Sequence, residues 1–229
     1  MNYDDINRVS LNLHVKRNFF FVCEGQKTEV NYFNSLHENS RKIKLRDNVK
    51  INIYKKEGDE AGFSSAQGVL QLALRYKEEL IEAGKYFEGT DRVVIVFDLD
   101  VLRKRQTINI YEDILKRCEE EKIYAAVTNP AFELFLMLHH EDSIEKVIQP
   151  NYSIILENKK PRGDKRRPVE RMLSSNYRVN SKQRAHYNDI VDKVKVAIEN
   201  EKHDIINNDI KQGLELLTCN VGCLISEML

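Results

Sequence analysis

Apolar residues along the chain fall into two patterns. Two continuous runs, Asn18-Phe19-Phe20-Phe21-Val22-Cys23 and Arg92-Val93-Val94-Ile95-Val96-Phe97, are rich in aromatic and β-branched residues and stop at polar turns. Such runs read as strands buried on both faces of a parallel sheet. Residues 123–127 make a further strand, and the alternating Val49-Lys50-Ile51-Asn52-Ile53-Tyr54 predicts a more exposed one. Helical spacing fills the intervals. Val30, Phe33 and Leu36 share a face of a helix opened by Thr28, a candidate N-cap; Leu70, Ala73, Leu74, Lys77 and Ile81 mark one over 66–83; and Thr107 caps another over 108–121. Strands alternating with amphipathic helices require crossover connections and hence a mainly parallel sheet.

The pattern changes after residue 130. Residues 132–138, Phe-Glu-Leu-Phe-Leu-Met-Leu, are apolar on every side apart from Glu133 and predict a buried helix, with Asn129 as cap and Pro130 in its first turn. Further helices are expected over 187–199 and 221–229. The fold class is α/β: a core of about four mainly parallel strands flanked by helices over 15–142, then a basic loop and a mostly helical extension over 143–229, packed on the core as one unit.

Composition narrows the function classes. The chain has 229 residues, 31% charged and 41% hydrophobic, with 36 basic residues against 36 acidic ones. Net charge therefore gives no support for a nucleic-acid partner. No apolar stretch is long enough to span a bilayer, and the N-terminal MNYDDINRVS has no hydrophobic signal core, so a cytoplasmic protein without a membrane partner is expected. Cys23, Cys118, Cys219 and Cys223 lack the spacing of a zinc site and read as buried reduced thiols. No Gly-x4-Gly-Lys-Ser/Thr loop and no Gly-x-Ser-x-Gly elbow occurs, which argues against intrinsic ATP hydrolysis and against a serine hydrolase.

The candidate chemistry lies where strands end. Glu24-Gly25 follows the first run and Asp98-Leu99-Asp100 the second, and in open α/β sheets the functional crevice lies at the carboxyl ends of strands. Gly25 permits a tight turn, and Asp98 and Asp100, two apart on an extended segment, can point the same way. Three carboxylates gathered there repel one another unless a cation intervenes, and Mg²⁺ or Mn²⁺, one ion or two, suits oxygen donors. Asp98 and Asp100 would hold the ion, and Glu24 a second ion or a proton. Glu133, a carboxylate on a buried segment, needs a metal, a proton or the backbone N–H groups of its own helix.

Lys159, Lys160, Arg162, Lys165, Arg166, Arg167 and Arg171 form a basic segment interrupted by Pro161, Gly163 and Pro168, extended by Arg178, Lys182 and Arg184. It is either a phosphate-contacting loop or a solvated charge run. Lys27 is a phosphate contact or a solvent-facing lysine. His139 is a metal or phosphate ligand or a core histidine with a satisfied nitrogen.

Three blocks together carry a resemblance: the apolar strand into Glu24-Gly25 followed by Thr28-Glu29, the apolar strand into Asp98-Leu99-Asp100, and Asn129-Pro130-Ala131-Phe132-Glu133-Leu134 running to His139. The chain resembles the RloB family, a bacterial group within the Toprim (topoisomerase–primase) superfamily, with a looser match at Asn220-Val221 and the apolar residues after it. The resemblance implies a Toprim-like core, Glu24 as the Toprim glutamate, Asp98 and Asp100 as the metal-binding pair, and Glu29 and Glu133 as further acidic positions, Glu29 a metal ligand and Glu133 a catalytic group. It implies a metal-dependent nuclease acting on DNA or RNA, transfer RNA included, in bacterial phage defence, controlled by an ABC-type ATPase partner. The alternatives are a non-catalytic nucleic-acid-binding subunit and a nucleotidyl transferase. One departure stands out. Family members often continue Asp-x-Asp with more acids, whereas Val101-Leu102 and the basic Arg103-Lys104-Arg105 come next here, which leaves the ligation of a second ion open.

Overall fold

The computed structural model describes residues 16–104 and 107–229. The N-terminal residues read for a signal core, and Arg105, lie outside that set. Five strands make one sheet in the order β2-β1-β3-β4-β5: β1 (Arg17–Cys23), β2 (Val49–Ile53), β3 (Arg92–Asp98), β4 (Ile123–Asn129) and β5 (Thr218–Cys219). The first four are parallel, with Phe21 level with Val94 and Ile95 with Ala125, while β5 runs antiparallel to the end of β4. The chain is thus α/β with a mostly parallel sheet, and its C-terminal part is mostly helical.

The helices are α1 (Thr28–Glu38), α2 (Ser40–Ile43), α3 (Ala66–Glu82), α4 (Asp100–Lys104), α5 (Ile108–Glu120) and α6 (Glu133–Met137). Beyond them come α7 (Tyr152–Glu157), α8 (Pro168–Tyr177), α9 (Tyr187–Val191), α10 (Val194–Glu201) and α11 (Val221–Ser226).

Strand alternation divides the core in two. Phe20, Val22, Val93, Ile95, Phe97 and Val127 pack against α3 and α5 on one face. Phe19, Phe21, Cys23, Val94, Val96 and Ala126 face the other way, into a larger cluster that takes in α1, α6 and the helices after residue 143. Both faces are buried, which is why the central strands carry no polar alternation. The extension supplies Leu173, Tyr187, Val191, Leu224 and Ile225 to that second cluster, and each is nearly or wholly buried.

Several local expectations are corrected. Asn129 does not cap α6. Its Nδ2 donates to the carbonyls of Gly213 and Leu216, both at 2.8 Å, so it anchors the loop before β5, and Pro130 follows a cis peptide bond ahead of the helix. Thr28 is the first residue of α1 and makes no cap, whereas Thr107 does stand at the N-cap position of α5, its hydroxyl donating back to Leu102 O (3.0 Å) instead of accepting from the helix. The inward stripe of α3 runs through Val69, Leu70, Ala73 and Leu80, which leaves Ile81 52% exposed. The helix expected over 187–199 breaks at Asp192-Lys193 into α9 and α10. Helix α8 and strand β5 have no counterpart in the periodicity of the sequence. Cys223 is exposed, whereas the other three thiols are buried, and all four are free.

The edge of β4 is completed by a side chain. Asn220 Oδ1 accepts from Val127 N–H (2.7 Å) and its Nδ2 donates to Ala125 C=O (2.8 Å), as a neighbouring strand would. Next to it, Glu201 accepts from the N–H groups of Gly222 (2.8 Å) and Cys223 (2.6 Å) at the start of α11, where orphan donors face a carboxylate. Burial pushes the Glu201 carboxyl up to about 7. At the far end of α11, Glu227 pairs with Arg17 and Arg92, at the starts of β1 and β3 (3.0 and 3.1 Å).

Candidate active site

The sheet order places a topological switch between β1 and β3, since the chain leaves β1 for β2 on one side and returns as β3 on the other. Crevices open at the carboxyl ends of strands at such points. Glu24 directly follows β1 and Asp98 ends β3, and the Asp98 N–H donates to Glu24 Oε2 (3.1 Å). The Thr128 hydroxyl, from the end of β4, donates to Asp98 Oδ1.

Two more carboxylates, Glu29 and Glu133, share a cavity with Asp98. This cavity, of about 300 Å³, is lined by Gly25, Gln26, Lys27, Thr28, Glu29, Asp98, Phe132, Glu133 and Lys182. Glu29, in the first turn of α1, is only 5% exposed. Glu133 opens α6 and accepts from the Ser181 hydroxyl (2.7 Å). Burial pushes all four carboxyl groups up; Glu29 reaches about 7. The charges of Glu29, Glu133 and Glu24 raise Asp98 further, well above the usual carboxylate range, while the Thr128 hydrogen bond works against the rise. Four acids that disfavour one another's ionisation are held together here.

Gly25 serves this cluster differently from the expected tight turn. A Cβ at residue 25 would come within 2.1 Å of Glu29 Oε2. Glycine makes room for a carboxylate, and its φ is not positive.

Asp100 does not line this cavity. The extended Asp-x-Asp spacing ends at Asp98, because α4 begins at Asp100 with Leu99 fully buried between them. The Asp100 carboxylate forms an ion pair with Arg167 of the basic segment. The two aspartates therefore do not project as a pair from one strand. The remaining basic residues form an exposed rim: Lys159, Lys160, Arg162, Lys165 and Arg166 are solvent-facing, and Arg171 pairs with Asp164 (2.9 Å). Lys27 is exposed at the cavity mouth.

His139 is fully buried. Its Nδ1 lies 3.0 Å from Phe135 O and its Nε2 3.1 Å from the Tyr32 hydroxyl. A carbonyl only accepts, so Nδ1 carries the proton and Nε2 accepts from Tyr32. Burial drives its pKa down to about 3. Both nitrogens are used and neither faces the cavity, so the ligand reading of His139 is replaced by the core one.

Three contributors carried no sequence signal: Thr128, Ser181 and Lys56. Lys56 Nζ donates to the carbonyls of Glu24 (2.8 Å) and Phe63 (2.7 Å), which brings a cation from beyond β2 to the back of the acidic cluster. Burial lowers its pKa, and its charge eases the ionisation of Glu24 and Glu29. The hydroxyls are ordinary residues by type, and only the sheet register and the fold of 178–182 place them here.

Among the described residues, no three His, Cys, Asp or Glu side chains stand together as a ready metal-binding group. The chemistry of the donors still suits a hard divalent ion, since four mutually repelling carboxyl groups are what such an ion would discharge. Glu29, Asp98 and Glu133 line one cavity and Glu24 adjoins them through the Asp98 N–H, short of a closed coordination sphere. Among the described residues no helix is long and apolar enough to cross a membrane.

A family model described as RloB-like protein matches residues 19–228. No curated protein and no solved structure matches the chain.

Proposed function

The chain belongs to the RloB-like protein family, whose model spans nearly all of it, and on that premise we propose that it is a metal-dependent nuclease of the Toprim type that hydrolyses phosphodiester bonds in DNA or RNA. The observation that carries this reading is the gathering of Glu24, Glu29, Asp98 and Glu133 at the switch point of the sheet, with every carboxyl group raised. Glu24, Glu29, Asp98 and Glu133 would hold Mg²⁺ or Mn²⁺. The ion would stabilise charge on the phosphoryl oxygens and lower the pKa of bound water. Glu24 is fixed through Oε2 by the Asp98 N–H, which leaves Oε1 to exchange a proton with the attacking water or the leaving oxygen. Thr128 and Ser181 orient Asp98 and Glu133. Lys27 at the mouth supplies a positive charge for an incoming phosphate. The family resemblance supports a role in phage defence under the control of an ABC-type ATPase.

The test is turnover of a mixed panel of nucleic acids by the purified chain in Mg²⁺ or Mn²⁺, with and without the proposed ABC-type ATPase partner. Glu24→Gln is nearly isosteric, removes one charge from the cluster, and is expected to abolish cleavage while circular dichroism stays unchanged. Full activity of this variant at saturating metal overturns the assignment of Glu24. A second reading, a non-catalytic nucleic-acid-binding subunit, is favoured by the Arg167–Asp100 ion pair, which commits one acid of the motif to a cation of the chain itself. Salt-sensitive binding with no metal-dependent turnover selects it. Primer synthesis from nucleotides would instead select nucleotidyl transfer.

A further inference from the structure

The acidic cavity does not stand alone. Gly25 and Gln26 also border a second cavity of about 300 Å³, which reaches out to Tyr54, Lys55 and Lys56 beyond β2. On the opposite side, Lys182 is shared with a third cavity of about 220 Å³, bordered by Lys165, Arg166 and Ser181. Each outer cavity thus shares lining residues with the acidic one, and the charge reads basic, acidic and then mainly basic, with Glu170 also lining the last stretch. Lys55 is exposed, and Lys56 spends two of its three donors on the carbonyls of Glu24 and Phe63, which leaves one for the groove. Glu170 lies 2.7 Å from Lys182 and fixes it at the junction of the acidic and basic stretches.

We infer that this groove is the path of a single polynucleotide strand, gripped by Lys55 and Lys56 on one side of the carboxylates and by Lys165, Arg166 and Lys182 on the other. A basic groove that tracks the backbone is how unpaired strands are held. Glu29 sits deepest, at 5% exposed, with Asp98 and Glu133 half-buried beside it in the same cavity, so a phosphate must dip inward to meet them. A single strand bends at little cost. A duplex is stiff over about 150 base pairs, and local bending of it costs several kcal/mol by elastic estimates. Acidic residues in mid-path serve a strand only if a cation bridges them to a phosphate, so this inference rests on the nuclease reading for its centre while its two arms stand on charge and shape.

The experiment is equilibrium binding by fluorescence anisotropy, run in EDTA, where turnover does not interfere and the two arms act alone, and again in Ca²⁺, a hard ion for the same oxygen donors, in which strand preference is read with probe integrity checked by gel. Labelled mixed-sequence DNA and RNA oligonucleotides, single-stranded or annealed to their complements, are titrated across a range of salt concentrations. Single strands of either sugar are expected to bind at least about tenfold more tightly than duplex. Lys55→Ser on one arm and the pair Lys165→Ser, Arg166→Ser on the other are each expected to weaken single-strand binding and to flatten its salt slope by about 0.7 for each phosphate no longer neutralised. Equal or tighter duplex binding overturns the inference, and so does a Lys55→Ser variant with an unchanged slope, which would leave only one arm in use. Tight single-strand binding by a protein that cleaves nothing in Mg²⁺ or Mn²⁺ refutes the nuclease reading and leaves the strand path standing. Metal-dependent cleavage with a preference for duplex does the reverse.

Discussion

Glu29 concentrates the chemistry of this site in one residue. Its folded pKa of about 7 lies above the ordinary 4.5, so the folded state holds a proton that the unfolded chain has released between those values. Stability from this group is complete below about pH 4.5 and is lost as pH rises through 7. Glu201 adds the same sign over the same window. His139, depressed to about 3, acts in the opposite sense, because its contribution is lost as pH falls from 6.5 toward 3. Above pH 6.5 the carboxylates alone govern, and metal-free protein is expected to lose thermal stability from there to about pH 8. Glu29→Gln should raise Tm at about pH 8 and flatten that slope, at about 2–4 °C per kcal/mol for a chain of this size, read by differential scanning fluorimetry. A slope unchanged by the substitution would show that Glu29 ionises freely. Gly25→Ala tests the same carboxylate from the other side. The added Cβ meets the tip of a flexible side chain, so the fold should survive, but Glu29 must swing away. We expect at least about tenfold weaker Mn²⁺ binding by calorimetry, the scale on which disturbed outer-shell contacts cost metal sites.

At the scale of elements, the C-terminal segment acts as a clasp on the sheet. Asn220 satisfies one donor and one acceptor on the edge of β4, Glu201 closes the start of α11, and Glu227 ties its end to β1 and β3. Asn220→Ala leaves Val127 N–H and Ala125 C=O unpaired at a buried edge, where each unsatisfied group costs about 1–3 kcal/mol. The expected result is a fall in Tm of several degrees, accompanied by faster amide exchange at Val127. An unchanged exchange rate at that position would mean that another donor or acceptor replaces the side chain. Glu227 is partly exposed, so its ion pairs contribute little by themselves and its substitution should be nearly neutral.

Over the whole molecule, the sheet is covered on one face by α3 and α5 and on the other by α1, α6 and α11, with the remaining helices beyond residue 143 adding to the same core cluster. A chain ending at residue 142 would strip that face of Leu173, Tyr187, Val191, Leu224 and Ile225, each contributing about 1.5–3 kcal/mol of burial. Such a truncation is expected to aggregate or to bind hydrophobic dyes strongly, while the full chain unfolds in a single transition. A soluble, cooperatively folding 1–142 fragment would show instead that the core is an independent domain.

Local pattern was enough for the four parallel strands, for α1, α3 and α5 between them and for the buried helix at 133–137, because each is written in consecutive residues with its own period, whereas the short α2 and α4 are not. Strand ends singled out Glu24 and Asp98, a lone acid in an apolar run singled out Glu133, and the family resemblance added Glu29. The rest was decided at long range. β5 is two residues long and exists only because the loop anchored by Asn129 delivers it to β4. Asp100 opens a helix instead of continuing the strand, and Arg167, distant in sequence, supplies a countercharge. Thr128, Ser181 and Lys56 joined the site through register and tertiary contact, and neither leaves a period in the sequence. A chain records which residues are apolar and which carry charge, but the pairing of charges separated by dozens of residues is settled only when packing brings them together.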